Sequence, residues 1–510
     1  MTRFAITDII HREELLFFID MNFHSGQNLV LTLILFCLSE IIIKLPFIRR
    51  KRHVTSVDLI DYQKKKKYPS HKGAIAGLLI VFGGFIGLGS YALWNLWIQY
   101  QPEITAIISL LSPTIADNLW LLVAGLAAII GLSVLLALGA SVAARRLGGA
   151  LIYIGAGIMN FLTWGIVIFL VITGAIPLAS LSTAWPIMIP GLFTLLITIL
   201  LFTVFRDRVR RAGEIIKLTG QVTLDEKGTF VPPLLTMVFT LVSALLFTGI
   251  LVYFMPQVLD PNHEFVLETD WGYIIGIVVF LFTTIFFYNF AYATTSGITY
   301  IYMRGEDPSL GDGVKASLGV VGGLVALSIM SVIVVIVQML IRAVTRKSGA
   351  VGRGAGAAAS GIIGWVWMLV NYFTIPAMVA EELGATKAIK RSAGLVRKNF
   401  VDVMIKETGV RWGFGVLAFM MFIGFGLFGA LFGWIWSSGD IFMTFIIAIV
   451  FTVFAAIPST LVLRTFDIVY VTLLYVFIRR KEGDITGKVA IPASMNAELD
   501  RAYNKAQKSE

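Results

Sequence analysis

The chain has 510 residues, 57% of them hydrophobic and 14% charged, with a mean hydropathy of +0.85. A soluble globular chain carries about 25% charged residues, so this composition excludes a soluble multidomain protein and requires an apolar solvent. The net charge of +10 does not indicate nucleic acid, because Lys and Arg lie between apolar runs and not on one basic surface, and the single cysteine, Cys37, excludes an intrachain disulfide.

Residues 1–28 set Arg3 and Arg12 against Asp8, Glu13, Glu14 and Asp20. This is unlike the basic start of a signal peptide, so the first apolar run is expected to stay as an anchor. Apolar stretches long enough to span a bilayer follow at about 29–48, 73–99, 118–143, 148–175, 185–205, 231–254, 272–298, 316–341, 358–380, 412–436 and 441–463. A further stretch, 466–478, is too short to span and is placed at the interface. The expected fold is therefore all-α, a polytopic transmembrane helical bundle of about 11 spans. Six spans fall in 29–265; five, with interfacial helices, fall in 266–480; a polar cytoplasmic tail occupies 481–510. Pro376 and Pro458 are expected to kink or break the ninth and eleventh spans. The longest connection, 381–411, is too short to hold a folded enzyme domain, so no enzyme activity is expected.

Orientation follows from the basic residues, which stay on the cytoplasmic side. The segments 49–72, 144–147, 206–230, 303–315, 381–411 and everything from Arg464 onward hold 34 of the 41 Lys and Arg, predicting an outer N-terminus and an inner C-terminus. The Gly-rich stretch Arg342 to Arg353 falls on the outer side in this arrangement; a re-entrant 316–341 would return it to the cytoplasm and invert everything downstream. Two helix starts are expected at the inner interface. Ser309 and Asp312 have capping-box spacing, and Thr386 is a candidate N-cap for 387–400.

In 387–400, Ile389, Ala393, Val396 and Phe400 share one helical face, while Lys387, Lys390, Arg391, Arg397 and Lys398 occupy the rest of the wheel. Such a helix lies flat in the inner interface. Its cations either only fix topology or bind anionic lipid headgroups. In the seventh span, Thr284, Tyr288, Tyr292, Thr295 and Thr299 recur on one face with Asn289 and Ser296 beside it. That face lines a path for a polar solute or serves as interhelical glue.

Ionisable residues deep in the spans are nearly absent, which weighs against a proton-coupled carrier. Glu40 with Lys44, and Arg464 with Asp467, read as snorkelling pairs near span ends; Glu381 and Glu382 read as complements to the following helix start and its basic residues; Asn160 and Asn371 read as interhelical partners. The outer loop with Asp260, His263, Glu264, Glu268 and Asp270 reads as solvated, since its spacing matches no dedicated metal site. No cofactor or metal is expected: the five histidines lack HExxH spacing, G-x-S-x-G and Walker patterns are missing, and the glycines at 352–356 follow no strand. Gly83 with Gly87 and Gly429 with Gly433 have the spacing of close helix packing.

The segments Arg304-Gly305-Glu306-Asp307-Pro308-Ser309-Leu310, Tyr372-Phe373-Thr374-Ile375-Pro376, Glu381-Glu382-Leu383-Gly384 and Lys390-Arg391-Ser392 resemble an uncharacterised family of prokaryotic polytopic membrane proteins over about 270–406. The resemblance implies a fold and no activity. A looser likeness, in the order of elements and in Ser317-Leu318-Gly319, is to choline transporter-like proteins, whose Cys-rich loop this chain lacks. Two functions are carried forward. One is a transporter or channel-like protein of the cell membrane for a small organic or lipid-like solute. The other is a structural or assembly protein organising membrane lipids, a second copy or a membrane-protein partner.

Overall fold

The structure is a computed structural model and describes residues 72–111, 120–173, 188–259, 267–346, 349–437 and 439–481. The expected first span, Cys37, the Glu40–Lys44 pair, all five histidines, Asp260, Glu264 and the tail beyond residue 481 lie outside the described residues. The described chain is all-α. Its helices are α1 (Lys72–Leu111), α2 (Trp120–Leu147), α3 (Ala150–Ile172), α4 (Ile189–Phe202), α5 (Arg206–Asp225), α6 (Val231–Phe254), α7 (Leu267–Met303), α8 (Leu310–Gly319) and α9 (Val321–Arg346). They continue with α10 (Gly349–Asn371), α11 (Thr374–Glu381), α12 (Ala385–Lys398), α13 (Phe400–Ile405), α14 (Arg411–Trp436), α15 (Ile441–Phe454) and α16 (Ala456–Lys481).

Among the described residues, eight helical runs are long and apolar enough to cross a membrane: 73–106, 150–172, 227–254, 270–303, 321–346, 352–381, 400–435 and 441–479. The pair α4 and α5, bent by 89°, is either a broken span, which would make a ninth, or a re-entrant loop. Each coincides with an expected span, and α2 occupies the place of the expected 118–143.

The structure corrects the sequence reading at several boundaries. The basic connection 206–230 is mostly helical: α5 buries Val209, Ala212, Ile216, Thr219, Val222 and Thr223 along one side and carries Arg206, Arg208 and Arg210 at its start. Arg342, Arg346 and Arg353 belong to helices rather than to a Gly-rich loop, because α9 runs to Arg346 and α10 starts at Gly349. Thr386 is not an N-cap; α12 begins one residue before it, with Gly384 in the capping position. The stretch 466–478 is not a separate interfacial segment. It is the second half of α16, and Phe466, Val469, Tyr470, Leu474 and Tyr475 on it are among the most buried side chains of the protein.

Both prolines act where expected. Pro376 and Pro458 sit in the first turns of α11 and α16, after breaks at Tyr372–Phe373 and Ala455. A proline there has no need of the N–H it lacks, and its ring disfavours helical continuity with the residue four before it.

The described residues form two compact units, one comprising 162–197 and 334–368, the other 72–161, 198–333 and 369–481. In the smaller unit, Gln338 Nε2 donates to the Ser360 carbonyl at 2.9 Å and Arg342 Nε to the Ser360 hydroxyl at 2.8 Å, tying α9 to α10. In the larger unit α16 is central, packed against α2, α5, α7 and α14. Gly220 of α5 lets this packing close up: a Cβ there would meet the Arg145 amide nitrogen at 2.6 Å and the Ser141 carbonyl at 2.7 Å. Beside it the Thr223 hydroxyl donates to Ser141 Oγ at 2.9 Å. Gly429 and Gly433 bring α14 against α15 as their spacing predicts, whereas a Cβ on Gly83 or Gly87 would meet nothing within 4 Å among the described residues.

Candidate functional site

Apolar packing around α16 is interrupted where α13 passes into α14. The helix widens at Lys406–Val410 into a π-turn, a local irregularity that often marks function. Lys406 there is 2% exposed; its Nζ lies 2.7 Å from Glu407 Oε1 and also bonds the Asp467 carboxylate of α16. One turn on, Arg411 donates to the second Glu407 oxygen at 3.0 Å. The Tyr372 ring, from the break before α11, lies under Lys406 with its centroid 5.4 Å from Nζ. On the α7 side, Arg464 of α16 stands over the Tyr288 ring at 5.8 Å, and Tyr288 meets Tyr292 edge to face at 6.2 Å. Three cations, two carboxylates and three tyrosines thus gather from α7, the α10–α11 break, the π-turn, α14 and α16.

The site gathers charges that the sequence reading assigned to a loop and to span ends. Lys406 and Arg411 read as loop cations because the run 381–411 is polar overall, and Asp467 read as snorkelling because 466–478 seemed peripheral. The available signal was the spacing of Lys406, Glu407 and Arg411 directly ahead of an apolar run; the partner on α16 had none.

A second ionic cluster lies further along α16. Glu381, at the end of α11, accepts from Tyr475 and pairs with Arg479 at 2.9 Å and Arg391 at 3.5 Å. Arg479 is fully buried and the Glu381 side chain is 4% exposed. Glu382, next in the chain, takes a left-handed conformation (φ 47°) that lets the chain turn into α12.

The proposed lipid-binding helix exists but docks differently from expectation. It buries Ala385, Ala388, Ser392, Leu395 and Val396, while Ile389, Ala393 and Phe400 are only half-buried. Ser392 accepts the Phe373 N–H at 2.8 Å, filling the backbone gap left at the α10–α11 break. Lys387, Lys390, Arg397 and Lys398 are exposed, and Arg391 turns inward to Glu381.

The polar face of α7 is mostly engaged with other helices. Asn289 donates to Ser328 at 3.0 Å, Thr294 and Ser317 lie 2.8 Å apart, Ser296 and Thr472 2.9 Å apart, and Thr295 donates to the Thr229 carbonyl at 3.4 Å. Thr299 bonds its own helix at Thr295. Tyr288, 38% exposed, opens outward, and the buried Thr284 hydroxyl has no hydrogen-bond partner among the described residues. Asn160 donates to Thr198 at 2.7 Å and Asn371 accepts from Thr374 at 3.2 Å.

At the ends of the spans, Asp402 pairs with Arg208 and Arg211 of α5 at 3.3 and 3.8 Å. The Ser309–Asp312 capping box is formed reciprocally. Hydrogen bonds from Ser309, and then Lys315, hold the Asp312 carboxyl below its ordinary value despite partial burial. Among the described residues no group of His, Cys, Asp and Glu is arranged to hold a metal ion.

Long apolar helices with apolar side chains exposed along α14 and α15, around a charged and hydroxyl-rich interior, define a multi-pass membrane protein. Residues 273–485 match the model of a family of unknown function (DUF6159), a range that takes in both ionic clusters and α7 to α16 almost entirely. No curated protein sequence matches the chain.

Proposed function

We propose that the protein is a carrier or channel-like protein of the cell membrane for a small organic or lipid-like solute, with its working site at Lys406, Glu407, Arg411, Arg464 and Asp467. What supports this reading is charge buried between helices long and apolar enough to cross a membrane. Such residues are costly in hydrocarbon and mark solute or ion pathways by default. A π-turn at the same place supplies a backbone able to change shape. The site also opens at one side, since the Arg411 and Asp467 side chains are 51% and 32% exposed.

In this reading the N-terminus is outside and the C-terminus inside, and the exposed cations of α12 face anionic headgroups of the inner leaflet. The test is reconstitution of the full chain in proteoliposomes with a panel of labelled small organic and amphiphilic solutes. Wild type moves at least one of them, and Lys406→Gln, shown to be folded by gel filtration, moves it at least tenfold more slowly. Absence of flux across the panel refutes the carrier.

A second reading rests on the α7 face. Its hydroxyls and amide are engaged in interhelical bonds, as in a scaffold that organises lipids or a membrane-protein partner. Co-purification of one stoichiometric partner with a flux-inactive protein favours it.

A further inference from the structure

We propose that Arg464 and the Tyr288 ring, with Arg411 and Lys406 behind them, bind the anionic head of an amphiphile that enters from the flank of the bundle. This names a substrate class for the carrier and rests on that reading of the site, although binding and flux are measured separately below.

Arg464 is not a terminal residue. It lies 17 residues before the end of α16 and 23 after the start of α15, about 26 Å and about 35 Å of helix at 1.5 Å per residue. It forms no ion pair among the described residues: the nearby Asp467 carboxylate is held by Lys406, and Arg464 has only the Tyr288 ring. The cluster of Lys406, Arg411, Arg464, Glu407 and Asp467 therefore has one positive charge in excess. Arg464 is half-buried, and a charge held partly out of water without a counter-charge is unfavourable, so an anion completes this site.

One buried hydroxyl independently indicates a ligand: among the described residues that of Thr284, one turn before Tyr288 on α7, has no hydrogen-bond partner. A hydroxyl donor beside a surplus cation suits an oxyanion, which only accepts. Helix α14, which supplies Arg411, also exposes Phe419 two turns further on, 46% exposed, so an anionic head that carries an apolar tail matches this helix surface better than a free inorganic anion.

The full chain in neutral detergent is titrated with dioleoyl phosphatidylglycerol, sodium oleate, dioleoyl phosphatidylcholine, oleyl alcohol and inorganic phosphate, following thermal stability and bound mass by native mass spectrometry. Phosphatidylglycerol or oleate raises the melting temperature and is retained, and the two neutral amphiphiles and phosphate are not. Arg464→Gln weakens that binding at least tenfold, and Arg464→Lys weakens it less. If Arg464→Gln does not fold, Tyr288→Leu removes the stacking ring without altering charge and weakens binding at least threefold. Equal binding of neutral and anionic amphiphiles, or unchanged binding in whichever of Arg464→Gln and Tyr288→Leu folds, overturns the inference. Equal stabilisation by phosphate alone overturns the tail requirement and with it the proposal as stated. Anionic binding without flux refutes the carrier and leaves this site standing; flux of a neutral solute without anionic binding does the reverse.

Discussion

The Ser296 hydroxyl donates to that of Thr472. The two oxygens are 2.9 Å apart, and Thr472 has already committed its proton to the Ile468 carbonyl at 2.8 Å. Both side chains are at most 1% exposed, so this bond ties α7 to α16 where no water competes. Polar pairs between membrane helices are worth about 0.6 kcal/mol on average, up to roughly 1.7. Thr472→Val, close to isosteric, should therefore lower stability by about 1 kcal/mol. A double-mutant cycle with Ser296→Ala in detergent unfolding should return a coupling of about 0.6 kcal/mol; a coupling indistinguishable from zero would refute the role given to this bond.

Lys406 is a different case, because its partners are charged. Replacing it with Met leaves Glu407, whose side chain is 10% exposed, with Arg411 alone and frees the Asp467 carboxylate inside the bundle. Breaking a buried ion pair from one side costs about 3–5 kcal/mol, reduced here because Asp467 is partly exposed. We expect Lys406→Met to lose about 3 kcal/mol of unfolding free energy and the double change Lys406→Met, Asp467→Asn to recover part of it. A single mutant as stable as wild type would mean that the cluster is not held by this ion pair.

The capping box that opens α8 predicts a pH dependence. Asp312 accepts the Ser309 N–H at 3.1 Å and the Ser309 hydroxyl at 2.7 Å, and these bonds lower its carboxyl below the unfolded value. A lowered folded-state value gives stability that is present above the unfolded value and lost as pH falls through the folded one. Amide exchange across Leu310–Gly313 should therefore stay protected through neutral and mildly acidic pH and accelerate only below the ordinary aspartate range. Ser309→Ala should cost about 1 kcal/mol and weaken that pH dependence. Acceleration beginning near neutrality would place the titrating group elsewhere.

The apolar runs were legible in sequence because length and hydropathy alone define them, and so were the breaks at Pro376 and Pro458, where the ring chemistry is local. The Ser309–Asp312 cap was legible for the same reason. Helix α5 was hidden because four arginines near its start resemble a cytoplasmic loop, while its buried side needs α2 and α16 to exist. The polar face of α7 was visible as a periodicity, but whether Ser296 faces solute or Thr472 is decided by a residue 176 positions away. The ionic site was the least legible: Lys406 and Asp467 each look peripheral in their own segment, and only the continuation of α16 through residue 481 brings them together.

Direction along the bundle gives a final prediction. Tyr288 lies beside Arg464 and Ser296 beside Thr472, so α7 and α16 run parallel, whereas Phe414 against Phe466 and Ala418 against Ser459 make α14 antiparallel to α16. Two parallel spans require an odd number of crossings between them, which α9, α10 with α11, and α14 supply. A re-entrant 316–341 would leave an even number and set α7 against α16. With Cys37 changed to Ser and one new cysteine per variant, Ala350→Cys should react with a membrane-impermeant maleimide on intact cells. Glu306→Cys should react only after permeabilisation. Labelling of both from the same side would rule out α9 as a crossing.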